Sequence, residues 1–130
     1  MESWGRVLRR EVRRSARVAV LGIGQVARGD DAAGTLVARR LLDPPSSLPA
    51  KALVIPAEEV PENFTGVVRA FRPSLVVLVD AARAGRPPGT ISLIDPSAIA
   101  EEDVSTHRVP LTRLARYIRE TMDCQVLLAR

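Results

Sequence analysis

Three side chains in this sequence belong to types that can bind a transition metal or promote hydrolysis: Asp31, Asp80 and His107. Asp31 follows an apolar segment and a glycine-containing loop, Asp80 ends a second apolar segment, and His107 is the only histidine in the chain. Two carboxylates and an imidazole, with coordination positions left open, form the donor set of a catalytic or exchangeable transition-metal site. A metal held there can polarise a carbonyl or activate water.

Each of these residues also has an ordinary structural explanation. Asp31 can serve as an acid in the first turn of a helix, where it favours the helix dipole. Asp80 can form a salt bridge with Arg83, although a carboxylate at the end of a buried strand is costly without a partner or a ligand. A single loop histidine is usually a surface residue. The prediction of a site therefore depends on all three residues reaching one edge of the fold.

The loop before Asp31 contains five residues that we predict to shape the site and contact the substrate: Gly22, Gly24, Gln25, Gly29 and Asp30. The glycines allow a tight turn beneath the metal site, and Asp30 is the expected N-cap of the following helix. A strand, a glycine loop and a helix can also bind the phosphate of a nucleotide. Two adjacent carboxylates repel phosphate, so a nucleotide-binding domain is the weaker alternative.

Apolar segments alternate with amphipathic ones along the chain. The pattern predicts strands over 17–23, 52–55, 75–82, 90–94 and 125–129, with Pro56 ending the second strand. It predicts helices over 31–42, 61–71 and 110–121. Their predicted apolar positions include Leu36 and Val37 in the first, Val67 and Val68 in the second, and Leu111, Leu114, Ala115 and Ile118, expected to face inward, in the third. This order indicates an α/β fold, a small doubly wound, mostly parallel twisted sheet of about five strands with helices on both faces. Since ligands bind beyond the carboxyl ends of such strands, Asp31, Asp80 and His107 are expected to meet there.

Length and composition set limits on the class of protein. A chain of 130 residues is expected to form one domain, here residues 17–130, preceded by a basic N-terminal extension, residues 1–16. The arginines of that extension favour a solvated helix or a leader over an arm that binds nucleic acid or membrane. The lone cysteine, Cys124, is typical of a reducing cytoplasm, and no apolar run is long enough to span a membrane. We therefore predict a cytoplasmic protein with neither a nucleic-acid nor a membrane partner.

Several short motifs occur in an order that resembles the hydrogenase maturation endopeptidases, most closely the branch that serves formate-hydrogenlyase-type [NiFe] hydrogenases. The resemblance runs from about Val18 to the C-terminus. The motifs are Gly22-Ile23-Gly24-Gln25, Gly29-Asp30-Asp31-Ala32-Ala33-Gly34, Pro61-Glu62-Asn63, Arg72-Pro73, Val79-Asp80-Ala81, Pro88-Gly89-Thr90, Ile94-Asp95-Pro96, and Ser105-Thr106-His107 with Pro110-Leu111. The set is far more specific than any one member.

The resemblance implies a concrete activity. Members of this family remove a C-terminal extension from the hydrogenase large-subunit precursor after nickel insertion, and the nickel in the precursor marks it for cleavage. The family's metal-contacting acid, its strand-end aspartate and its histidine correspond to Asp31, Asp80 and His107. The resemblance therefore implies a peptide-bond hydrolase in which these three residues are both catalytic and metal-contacting, with nickel as the metal and the precursor as the partner.

The sequence departs from the family pattern at several places. It has Gln25 where asparagine is usual, and Pro56-Ala57-Glu58 where Asp-Gly-Gly is usual. It also ends soon after the last predicted strand, where the family continues with a loop and a helix. These departures leave a second hypothesis open, a non-catalytic module of the same fold that binds nickel or the precursor without cutting it.

Overall fold

The computed structural model describes residues 4–24, 33–42, 51–80, 93–94 and 110–129. Four α-helices and five strands lie in these ranges, together with one 3₁₀ helix, Pro61–Phe64. In chain order the α-helices and strands are α1 (Trp4–Arg14), β1 (Val18–Ile23), α2 (Ala33–Leu42), β2 (Ala52–Glu58), α3 (Thr65–Phe71), β3 (Leu75–Val79), β4 (Leu93–Ile94), α4 (Leu111–Met122) and β5 (Gln125–Ala129). None of these helices combines the length and the apolar character that a membrane crossing requires.

The five strands form one sheet in the order β2-β1-β3-β5-β4. Neighbouring strands are parallel from β2 through β5, and β4 runs antiparallel to β5 at one edge. This arrangement confirms the predicted α/β fold with a mostly parallel sheet of about five strands. Strand β1 leads through α2 to β2, which lies on one side of β1, and β3 lies on the other side of β1. The direction in which strands are added therefore reverses between β1 and β3. Ligand sites in such sheets lie at this reversal.

Both faces of the central strands are buried because their alternate side chains enter two separate apolar clusters. On one face, α3 and α4 cover Leu21, Leu78 and Leu128. On the other face, Val20 and Val77 pack with Leu8 and Val12 of α1. Buried side chains on both faces explain the continuous apolar runs in the sequence. The predicted boundary between an N-terminal extension and the domain stays a prediction, although α1 contributes to the second cluster.

Strand β2 continues through Pro56 to Glu58, so the prediction that Pro56 ends it is wrong. The strand lies at an edge of the sheet, where a missing backbone N–H removes no hydrogen bond to a further strand. Pro56 pairs with Gly22, and the register then shifts so that Ile23 pairs with Glu58. Ala57 is therefore the extra residue of an irregularity at the carboxyl end of the strand.

The helices begin and end close to their predicted bounds, but some predicted inward positions are exposed. Leu36 is 44% exposed and Val37 is 42% exposed, while Gly34, Thr35 and Ala38 form the buried side of α2. Val67 of α3 is also exposed, whereas Val68, predicted in the same apolar stripe, is buried. In α4, by contrast, the four predicted inward residues are all buried, namely Leu111, Leu114, Ala115 and Ile118.

The small residues on the buried side of α2 allow its backbone to approach the strands closely. A Cβ atom placed on Gly34 would collide with the carbonyl oxygens of Ile23 and Val79, at the ends of β1 and β3. A Cβ atom on Gly22 would collide with the carbonyl of Gly34 and with Ala38. The first turn of α2 is therefore pressed against the two central strands where they end.

We expect Gly34→Ala to destabilise the fold by about 1–3 kcal/mol, because the added methyl group meets backbone atoms that cannot move aside cheaply. Urea denaturation of the purified variant measures the loss. The matched control is Gly66→Ala in α3, where an added Cβ has no neighbour within 4 Å. That substitution should leave stability unchanged or raise it by about 0.5–1 kcal/mol. Equal stability of the two variants would contradict the close approach of α2.

Candidate functional site

The carboxyl ends of four parallel strands are joined by a line of backbone contacts, which we call the carboxyl edge. The N–H group of Gly24, just after β1, donates to the carbonyl of Glu58 at the end of β2, at 2.7 Å. The N–H group of Asp80, just after β3, donates to the carbonyl of Ala129 in β5, at 2.9 Å. The residues that leave β1, β2 and β3 are therefore fixed relative to one another.

Asp80 is the charged residue that the fold buries at this edge. Its exposed fraction is 7%, and the only other buried polar side chain in the described ranges is Thr35. Four buried apolar residues precede it in β3, so the strand carries the carboxylate directly from the core to the edge. Burying a carboxylate costs several kcal/mol unless hydrogen bonds or a cation stabilise it. A buried aspartate at a strand end is typical of a site rather than of a solvated surface.

Three of the predicted site residues lie in the described ranges: Asp80, Gly22 and Gly24. Gly22 and Asp80 end neighbouring strands, since Gly22 pairs with Val79. The predicted site residues Gln25, Gly29, Asp30, Asp31 and His107 lie outside the described ranges. Within those ranges no group of three metal-ligating side chains occurs, and the convergence of Asp31 and His107 on Asp80 stays a prediction.

Gly24 occupies a conformation that suits glycine, and Thr35 holds it in place. The φ angle of Gly24 is 141°, in the region that residues with a side chain rarely adopt. The hydroxyl of Thr35, which is fully buried, lies 2.5 Å from the carbonyl oxygen of Gly24 and 3.3 Å from that of Gly22. Its single proton is shared between these two acceptors. Thr35 therefore fastens the start of the predicted substrate loop to the first turn of α2.

The residue at the end of β2 has a left-handed backbone. Glu58 has a φ of 56°, a conformation that costs a residue with a side chain about 1–2 kcal/mol. It lies where the resembling family has glycine. The 2.7 Å bond from Gly24 and an ion pair of 3.9 Å with Arg39 accompany this conformation, although exposed ion pairs stabilise little. The altered segment thus keeps a turn that glycine would adopt without strain.

Two further polar atoms at this end of the molecule are buried without a hydrogen-bond partner, Glu62 Oε2 and Thr112 Oγ1. Glu62 lies in the 3₁₀ helix, four residues after β2 ends at the carboxyl edge. Thr112 lies in the first turn of α4, which runs back across the sheet to start β5 at the opposite edge. Buried polar atoms of this kind are rare and occur at functional sites. Sequence reasoning gave neither residue a role, although Glu62 belongs to one of the resembling motifs.

The lone cysteine is not a candidate nucleophile. Cys124 is buried, and its Sγ lies 4.0 Å from the carbonyl oxygen of Ile118. Burial, with a smaller contribution from the negative charge of Asp123, raises the pKa of the Cys124 thiol above its ordinary value. The thiolate is the reactive form, so this group is inert at neutral pH.

Comparisons with known proteins agree with this geometry. The profile of a family described as hydrogenase maturation protease matches residues 37–129, a range that contains Asp80 and His107 and begins after Asp31. The hydrogenase 3 maturation protease of Escherichia coli K12 is 36% identical over 102 residues, which are 78% of this chain and 64% of that protein. The chain thus spans less than two thirds of the length of this relative.

Solved structures show the same similarity. The crystal structure of the [NiFe] hydrogenase maturation protease HycI from Thermococcus kodakarensis KOD1 matches with a TM-score of 0.81 at 38% identity, over 95% of this chain and 78% of that chain. The solution structure of the endopeptidase HycI from Escherichia coli matches with a TM-score of 0.71 at 33% identity, over 87% of this chain and 70% of that chain. These similarities confirm the resemblance inferred from the motifs.

We expect Thr35→Val to loosen the turn at Gly24, because two carbonyl oxygens lose their shared donor. The free energy of unfolding should fall by about 1–3 kcal/mol, and hydrogen exchange at the Gly24 amide should become faster. Thr35→Ser is the matched control, since it loses a methyl group but keeps the hydroxyl. It should cost about 1 kcal/mol and leave Gly24 protected. Equal exchange rates in the two variants would show that the hydroxyl does not hold the turn.

We expect the Cys124 thiol to resist alkylation by iodoacetamide in the folded protein and to react fully in guanidinium chloride. The folded pKa is raised, so ionisation of the thiol favours the unfolded chain. The contribution of this group to stability is constant at low pH and falls as the pH rises past the unfolded thiol pKa of about 8.5. Mass spectrometry after timed labelling measures the reaction. Complete alkylation of the folded protein at neutral pH would show that the thiol is accessible.

Proposed function

This chain belongs to the hydrogenase maturation protease family, and on that premise we propose that it removes the C-terminal extension of a [NiFe] hydrogenase large-subunit precursor after nickel insertion. The observation that carries the proposal is Asp80, a buried carboxylate delivered to the carboxyl edge by a fully apolar strand. The family supplies the class of enzyme, a peptidase. The position of Asp80 supports the carboxyl edge as the place where the precursor binds.

In this proposal Asp31, Asp80 and His107 contact the nickel that the precursor carries. The metal is part of the substrate, and its presence distinguishes a precursor ready for cleavage from one that is not. Carboxylate and imidazole donors are acceptable ligands for Ni²⁺. A cation next to the buried carboxylate of Asp80 would also offset the cost of its burial. The nickel serves as a recognition element at these three residues.

A second candidate function is a module that binds the nickel-loaded precursor without cutting it. The left-handed backbone of Glu58 is the observation that favours it, because the segment that differs from the family pattern adjoins the edge. Both candidates place the precursor at the same site and differ only in turnover. We propose the cytoplasm as the location for either, because the single cysteine of the chain is a free thiol.

We expect Asp80→Asn to reduce cleavage of a nickel-loaded precursor at least 100-fold, the scale of a lost catalytic carboxylate, with the fold retained. The amide keeps the size of the side chain and the backbone bond to Ala129, so only charge and acceptor strength change. Asp31→Asn and His107→Ala should have the same effect. Mass spectrometry of the large subunit, before and after incubation, measures loss of the C-terminal peptide.

Glu120→Gln is the control, since it removes an exposed carboxylate near the far end of α4 and should leave cleavage unchanged. Normal cleavage by all three site variants would contradict the assigned site. A precursor that stays uncut but forms a stable complex with the wild-type protein would favour the binding module. Cleavage that proceeds equally with nickel-free precursor would contradict recognition through the metal.

A further inference from the structure

The net charge of this protein is concentrated in one helix. Helix α1 contains five arginines and one glutamate. Removing these from the 19 basic and 15 acidic residues of the whole chain leaves 14 of each. The formal charge of +4 therefore belongs to α1, and the remaining 119 residues, 130 less the 11 of the helix, are neutral as a set.

The arginines form one face of the helix, which we call the arginine face. The opposite face is occupied, because Leu8 and Val12 pack against the sheet. Counted from the first arginine, the other four lie three, four, seven and eight residues further along the helix. This is the spacing of residues on one helical face. All five are exposed and together line one shallow depression: Arg6, Arg9, Arg10, Arg13 and Arg14.

The stability of α1 does not account for this pattern. Like charges at this spacing destabilise a helix by a few tenths of a kcal/mol per pair. The first turn contains no acidic residue and includes Arg6, which opposes the helix dipole. Glu11 is the one carboxylate within the helix, 3.7 Å from Arg10 and 3.9 Å from Arg14. With five arginines and one glutamate, the helix itself has a formal net charge of +4.

Helix α1 is connected to the carboxyl edge through the edge strand β4. The backbone of α1 approaches β4, and Leu93 of β4 pairs with Ala129 at the end of β5. Ala129 in turn accepts the backbone hydrogen bond of Asp80. A protein large enough to reach around this edge of the sheet can contact the arginine face and the carboxyl edge together.

The chemistry of the surface favours an acidic protein partner. Insertion into a bilayer would need the apolar side of α1, which the sheet already covers. A nucleic-acid binder that makes six to ten phosphate contacts needs a longer basic surface than the arginine face, which spans about 12 Å of helix. Guanidinium groups bind carboxylates through paired hydrogen bonds, and a cluster of aspartates and glutamates matches a surface of this size.

We propose that the arginine face binds an acidic surface of the same precursor protein whose extension is removed at the carboxyl edge. The inference rests on the proposed function, because it takes that precursor as the substrate. Recognition then has two parts, the nickel at the edge and a cluster of carboxylates at α1. Charge attraction of this kind mainly raises the rate of association, so it acts on KM and leaves the chemical step unchanged.

The test compares two double variants that remove the same charge. Arg9→Gln with Arg13→Gln weakens the arginine face, and Arg69→Gln with Arg72→Gln removes two exposed charges at the C-terminal end of α3, which leads to the start of β3 and lies away from the carboxyl edge. For the nickel-loaded precursor we expect the first variant to raise KM about tenfold with kcat unchanged. Wild-type KM should rise between about 50 and about 200 mM salt, and the first variant should respond much less. The second variant should behave as the wild type.

Cleavage with unchanged KM and salt response in the Arg9 and Arg13 variant would overturn this inference and leave the proposed function standing. Absence of cleavage by the wild type would instead count against the proposed function. In that case, calorimetry of the uncut precursor tests the inference. Loss of binding in the Arg9 and Arg13 variant would support it, and binding equal to that of the wild type would overturn it. Arginine-dependent binding to a DNA duplex or to phosphatidylserine vesicles that is tighter than to the precursor would also overturn it.

Discussion

The close approach of α2 to the carboxyl ends of β1 and β3 is the constraint on which the site depends. It requires glycine at positions 22 and 34, because a side chain at either position would occupy the space of neighbouring backbone. The approach brings Thr35 within reach of Gly24, whose N–H group then meets Glu58. One steric requirement thus fixes the end of β1, the start of α2 and the end of β2 relative to one another. Asp80 is held beside them through the pairing of β3 with β1.

Much of this arrangement could be predicted from the sequence, because long apolar runs and helical periodicity are local signals. Strand β5 has its predicted bounds, the inward face of α4 is as predicted, and the position of Asp80 follows from the end of its strand. The errors arise where tertiary position overrides local pattern. Pro56 lies inside a strand because that strand is an edge. Leu36 is exposed because backbone proximity, rather than apolar bulk, decides which side of α2 faces the sheet.

The polar residues of the site also differ in whether the sequence could predict them. A carboxylate at the end of an apolar strand can be recognised in a sequence, so Asp80 was predicted. Thr35, Glu62 and Thr112 matter because of what surrounds them, and a threonine or a glutamate in the first turn of a helix has many ordinary uses. The charge of α1 was visible in the sequence, but its significance depends on the helix packing its apolar side on the sheet.

The two ends of the sheet differ in how completely their polar groups are paired. At the amino end, the Nε of Arg17 donates to the backbone carbonyl of Phe71 at 2.7 Å. The Arg17 guanidinium also lies 4.1 Å from the centre of the Phe71 ring. Ser74 exchanges hydrogen bonds with Arg17 and accepts one from the Gln125 N–H group.

At the carboxyl end, by contrast, the described residues include a buried carboxylate, two buried oxygens without hydrogen-bond partners and a left-handed glutamate. Left-handed residues also occur at the amino end, but there they are helix caps, Arg72 and Asp123, which is their ordinary use. In the described ranges, the two unpartnered oxygens and the left-handed residue that caps no helix therefore lie at this end, and a fold accepts such costs where a ligand can offset them. A site can retain polar groups without hydrogen-bond partners only if the surrounding structure prevents them from rearranging. The hydrogen-bonded amino end of the sheet supplies that rigidity.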